Sequence, residues 1–198
     1  MKIIYTTLIF LGLFVATLSA QEVSKQLNEA GAAYDAGNLQ ETRMALQQAI
    51  HELDMAIGNE ILKALPSTLH NMPIDQEKDN VSSAGDLGLF ISRRYAAPEN
   101  DHYISIEIIG DSPMISGVNA LLSLPVFVGD RNQKRVRLGS RRALLQKNEG
   151  QDGIHSWDVQ VPMGSTLLTF SLRGDMDEKK VTDLAGSLPL DQIERLTR

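Results

Sequence analysis

The 198-residue chain has no cysteine and a single tryptophan, and its aromatic residues together make up only 5%. Without a thiol there is no disulfide framework, no cysteine nucleophile, no CxxC redox pair and no lipid attachment at an N-terminal cysteine. Positive charge is also scarce: 19 lysines and arginines face 25 acids, for a net charge of −6. A phosphate-tracking footprint needs clustered Lys and Arg, so nucleic-acid binding is not expected. Apart from the N-terminus the chain has no long apolar run. It also has no motif of catalytic, metal-binding or nucleotide-binding character. A protein so equipped must stand on an ordinary hydrophobic core.

The N-terminal apolar run reads as an address. Met1-Lys2 gives a short positive start, Ile3 to Leu18 is mostly apolar, and Leu18-Ser19-Ala20 ends in a small residue. The run is short for a bilayer span and a polar helix begins at Gln21-Glu22, so residues 1–20 are expected to be a signal peptide cleaved after Ala20. A retained anchor is the alternative. An exported chain without cysteine suits a periplasm, with secretion as a variant, and no membrane span is expected after cleavage.

Residues 21–66 carry helical spacing. Val23, Leu27, Ala30 and Tyr34 form one stripe, and Leu46, Ile50, Leu53, Ile57 and Ile61 form another. Ala36-Gly37 breaks the pattern, Asn38 with Glu41 makes a capping pair, and Gly58-Asn59 is a possible interruption. Together these predict a helical hairpin. Residues 27–54, with Ala30, Ala33, Gly37, Leu46 and Ala49, resemble a tetratricopeptide repeat unit, although Thr42 stands where that family prefers alanine. Solenoids stack about three such units. A single copy therefore implies a hairpin and not a peptide-binding groove.

Residues 67–84 are polar, contain Pro73 and lack periodicity, so they read as a linker. Residues 85–198 then carry strand patterns. Trp157, Val159, Val161 and Met163 alternate with polar residues up to Gly164-Ser165, and Leu168, Phe170 and Leu172 alternate after it. This is the mark of a hairpin with one buried face. Leu89 to Tyr95 and Ile104 to Ile108, around Pro98–Asp101, predict another. Val136 and Leu138 begin a strand whose parity slips at Gly139, which reads as a bulge before Ala143 and Leu145. Helices are expected at Pro113–Ser123, with Ser112 as cap, at Asp177–Ser187 and at the C-terminus.

The fold class is thus α+β: an N-terminal helical hairpin, then an antiparallel sheet of about five strands with helices packed on it. The element order over residues 85–196 resembles the PsbP-like α/β/α sandwich of small lumenal and periplasmic accessory proteins. The segments Ser92-Arg93-Arg94-Tyr95, Asp111-Ser112-Pro113 and Arg141-Arg142-Ala143 resemble those of uncharacterised bacterial exported proteins. Both resemblances imply a fold and transfer no binding residue.

Ser112 does not sit in a nucleophile elbow, because Pro113 removes the backbone N–H that would follow a nucleophile into an oxyanion hole. Cap duty accounts for it. His51 and Met55, one turn apart, and His70 with Met72 offer an imidazole–thioether set of copper character, but no dense Met or His tract accompanies them. No metal and no cofactor is expected. The arginine pairs Arg93-Arg94 and Arg141-Arg142 are the better candidates for binding. Neighbours on a strand point to opposite faces, so one of each pair should turn toward the apolar side, Arg93 in the first. An inward guanidinium needs an acid beside it or an anion to bind. With Trp157 these four arginines are the candidate ligand or partner residues.

Two functions stay open. One is a non-enzymatic periplasmic accessory or adaptor protein that engages an envelope protein through its helical arm or sheet. The other is a carrier of a hydrophobic or anionic small molecule. Exposed apolar residues on the arm (Tyr34, Leu39, Met55) would favour the first, and a cavity lined by Phe90, Ile106, Trp157 and Phe170 the second.

Overall fold

The computed structural model describes residues 21–83, 88–96, 102–123, 132–150, 154–174 and 176–198. The expected signal segment 1–20, the turn at Pro98–Asp101 and most of the loop at 127–132 lie outside them. The chain divides into two compact units, residues 1–56 and 57–198.

In the first unit residues 21–35 are helical (α1), and Leu39–Ala64 forms α2, whose last turns belong to the second unit. The entry to α2 is capped as the spacing predicts. The Asn38 side-chain oxygen accepts the Glu41 N–H at 3.3 Å, and Asn38 Nδ2 donates to the Glu41 carboxylate at 2.7 Å. The buried residues of this unit are small: Ala30, Ala33, Thr42, Ala45 and Ala49. Such a seam lets two helix axes approach closely. The larger side chains of the expected stripes, Leu27, Tyr34, Leu46, Ile50 and Leu53, are exposed instead. Pattern reading favours the bulky apolar residues as core, and here close approach selects the small ones.

The second unit is built on one antiparallel sheet of eight strands in the order β1-β2-β3-β4-β8-β7-β6-β5. The strands are β1 Thr68–Leu69, β2 Met72–Ser83, β3 Leu89–Ala96, β4 Tyr103–Ile109, β5 Gln133–Leu138, β6 Arg141–Glu149, β7 His155–Met163 and β8 Thr166–Arg173. Helix α3 (Ile115–Ser123) lies between β4 and β5, while α4 (Glu178–Gly186) and α5 (Leu190–Leu196) follow β8. The two expected hairpins form with the expected parity, Tyr95 opposite Ile104 and Val161 opposite Leu168.

One face of the sheet holds the main core. Ile91, Ile106, Leu145, Val159 and Phe170 pack there with Val181 and Ala185 of α4, Ile193 of α5 and Ile61 from the end of α2. The other face holds a smaller cluster, in which Val118 and Leu122 of α3 cover Leu144 and Leu167. Among the described residues no helix is long and apolar enough to cross a membrane.

The strand count of about five is corrected to eight, for two physical reasons. Residues 67–84, read as a linker, hold β1 and β2. β2 lies near the sheet margin, half exposed, with a register shift between Asp75 and Asn80, so no apolar alternation marks it. The parity slip at Gly139 is not a bulge within one strand. Gly139, at φ 61°, and Ser140 turn the chain between β5 and β6, which pair from Leu138–Arg141 to Gln133–Gln146. Helix α2 also runs unbroken through Gly58, where an added Cβ would lie 2.3 Å from Val81 Cγ1. This glycine permits close packing of helix on strand and does not interrupt the helix. The third helix begins at Ile115 rather than Pro113. Ser112 holds its start, accepting the Met114 N–H on its hydroxyl and the Ile115 N–H on its carbonyl.

Candidate functional site

The alternation of β3 places Arg93 on the core face, 7% exposed, between Ile91 and Tyr95. Its guanidinium meets both Asp79 oxygens on β2, Nε donating at 3.0 Å and Nη2 at 2.6 Å, while Nη1 donates to the Leu62 carbonyl at 2.6 Å. Burial pulls the Arg93 pKa down. The hydrogen bonds and charge of Asp79 outweigh that and hold it above its ordinary value. Beside it the Tyr95 hydroxyl donates to the Pro66 carbonyl at 2.8 Å, and burial pushes this phenol up. Arg93 therefore fastens β2, β3 and the end of α2 together. Arg94, its outward neighbour, lies over the Tyr103 ring at 4.0 Å.

The second pair divides in the same way. Arg141 is ion-paired with Asp191 and Glu194 of α5. The Arg141 hydrogen bond holds the Glu194 carboxyl below the usual carboxylate range. Arg142 points to the other face, is exposed, and donates to the Leu122 carbonyl at the end of α3 at 3.4 Å. Trp157 is buried in the core, its indole N–H donating to the Met176 carbonyl at 3.1 Å, with Lys147 over the ring. The arginines and Trp157 therefore do not converge on one site. Two of the guanidiniums are held by acids, and two lie on the opposite face.

The imidazole–thioether residues are placed as follows. His51 and Met55 are half-buried on α2, His70 is exposed, and Met72 is buried in the core. His70 and Asn71, both at positive φ, make the two-residue turn between β1 and β2, so His70 and Met72 have opposite environments. Among the described residues no group of three or more His, Cys, Asp or Glu side chains is placed to hold a metal ion. Of the residues expected to line a cavity, Ile106, Trp157 and Phe170 are packed in the main core. Phe90 lies on the opposite sheet face, one residue out of phase with Ile91. Two described grooves lie elsewhere. One of about 430 Å³ is lined by Ser140, Arg141, Leu188, Gln192 and Arg195, and one of about 730 Å³ by Val136, Arg137, Glu178, Thr182 and Asp183.

Two surface features stand out. The first is the arm, where Leu39, Leu46, Ile50 and Leu53 recur at helical spacing along one side of α2, all exposed, Leu39 at 68%. Leu27 and Tyr34, at 52% and 64%, are exposed on α1. The second is a basic cluster that sequence reasoning missed. Arg135 and Arg137 of β5 share a face with Arg142 of β6, and Arg137 stands directly opposite Arg142. The signal for it lay in the alternation of Gln133-Lys134-Arg135-Val136-Arg137. It becomes readable only when Gly139 is taken as a hairpin turn and not as a bulge.

Comparison with protein-family models, characterised proteins and solved structures finds no match to this chain.

Proposed function

We propose that this protein is a non-enzymatic, exported accessory or adaptor protein of the cell envelope that binds a protein partner through its helical arm. The observation that carries this reading is the exposed apolar line Leu39, Leu46, Ile50 and Leu53 on α2, joined on α1 by Leu27 and Tyr34. Soluble proteins rarely leave contiguous apolar patches above roughly a few hundred Å² without a use for them. The same line of α2 continues at helical spacing into Ile57 and Ile61, which pack in the core of the second unit. A surface of that composition suits an amphipathic helix laid along it, with anchors one turn apart. Export rests on the N-terminal run Ile3 to Leu18 that ends at Ser19-Ala20. The carrier reading has less behind it, because Ile106, Trp157 and Phe170 fill the core instead of bounding a void.

The test is site-specific photo-crosslinking in the native cells. A crosslinker in place of Ile50 or Leu46 should capture one protein of defined mass. A crosslinker in place of Gln48, half a turn away, should not. Equal yields from the three positions, or none from any, would contradict a partner on this face.

A further inference from the structure

Resting on the reading of the exposed α2 line as a binding face, we propose that its occupant is a second copy of this chain, two hairpins closing into a four-helix bundle. Both helices of the hairpin turn their exposed apolar residues to one side. At 3.6 residues per turn, Leu27 and Tyr34 lie about 80° past the buried Ala30 and Ala33 in the sense of the α1 turn. Leu39, Leu46, Ile50 and Leu53 lie about 80° past the buried Thr42, Ala45 and Ala49 in the sense of the α2 turn. The helices run antiparallel through the short link 36–38, so equal rotations of the same sense bring both sets to the same side. Most of the arm's acids go to the other side. Glu22, Glu29, Glu41 and Glu52 lie roughly 130° or more from the apolar line of their own helix.

A hairpin with one apolar side is half of a bundle, and the charges at its rims say which half completes it. Arg43 sits at the outer rim of α2 and Asp35 at the outer rim of α1, on opposite flanks of the face and both close to the link. Among the described residues neither side chain has a hydrogen-bond or ion-pair partner. Asp54, on the Arg43 flank, stands about 16 Å further along the helix. A two-fold axis parallel to the helices lays α2 on the partner's α1, at matching height and in the opposite direction. Each Arg43 then comes beside the partner's Asp35, so the ion pair forms twice. Every helix also gains antiparallel neighbours, as in up-down-up-down bundles. A single foreign helix answers one rim or the other; a second copy answers both.

The extent of the face agrees with a dimer. Its six apolar side chains are 44% to 68% exposed. Covering them on two copies removes on the order of 1,200 Å² from water, the lower end of what specific dimers bury.

The test is sedimentation velocity, over a concentration series, of the protein purified from its native cells. Wild type should run as a dimer. Arg43→Asp and Asp35→Arg should each raise the dissociation constant about tenfold, because each sets like charges against each other at both rims. The double variant Arg43→Asp, Asp35→Arg should recover most of that loss. The variant Leu46→Lys, Ile50→Lys should be monomeric, with its helix content unchanged by circular dichroism. A wild type that stays monomeric at about 100 μM, above the micromolar range such interfaces reach, would overturn the proposal. So would a dimer that persists in the Leu46→Lys, Ile50→Lys variant, or charge reversals that the double variant does not rescue. Crosslinking in cells separates the two readings. A captured mass other than this chain's own keeps the arm as a binding face and removes the second copy, whereas capture of nothing removes both.

Discussion

Burying a guanidinium costs several kcal/mol unless its donors are met. At Arg93 all three nitrogens have partners, two on Asp79 and one on the Leu62 carbonyl. Removing only the acid leaves a buried, unpaired charge. Asp79→Asn should therefore lower unfolding stability by about 3 kcal/mol. The double variant Arg93→Met, Asp79→Leu should lose less than the single one. Urea denaturation of both variants measures this, and a single variant within error of wild type would remove Arg93 from its fastening role. Tyr95 adds a pH dependence of known sign. Its folded-state pKa is raised by burial, so the folded chain keeps a proton that the unfolded chain gives up near pH 10. The contribution is complete below that pH and is lost as pH rises through the folded value. Tyr95→Phe should cost about 1 kcal/mol at neutral pH, for the lost bond to the Pro66 carbonyl, and should flatten the alkaline decline of thermal stability.

Between elements, the tightest described constraint is the approach of α2 to β2 at Gly58. A Cβ there would meet Val81 Cγ1 at 2.3 Å, and a β-branched side chain cannot swing clear. Gly58→Ala gains roughly 1 kcal/mol of helix propensity. Overpacking costs about 1–3 kcal/mol, so the net change should be a loss. Adding Val81→Ala should recover part of it in the same thermal melt. If Gly58→Ala alone stabilises the protein, the close approach is not a constraint. This scale also shows what the sequence could express. β3, β4, β7 and β8 were legible because each alternates between a core face and a polar face. β2 was not, since a half-exposed strand near the margin buries too little to leave a pattern. Gly139 was ambiguous because a bulge and a two-residue turn shift parity alike. In the arm the hairpin and its Asn38 cap were legible, but the buried side was not, because a seam of alanines carries little hydrophobic signal.

Across the molecule the candidate binding residues separate into fasteners and surface groups. Strand alternation marks Arg93 as the inward arginine of its pair and leaves the choice between Arg141 and Arg142 open, and sequence spacing cannot reveal that Asp79 and the α5 acids supply the counter-charges from 14 and about 50 residues away. With those charges accounted for, what the described surface offers a partner is the apolar line of the arm. The account stands most directly on the arm. Native mass spectrometry of the protein captured gently from its own cells, beside the variant Leu46→Lys, Ile50→Lys, tests it. The account predicts a protein-sized added mass on the wild type that is absent from the variant, with both chains folded by circular dichroism. A partner retained in full by the variant, or a wild type carrying only a small-molecule mass, would contradict it.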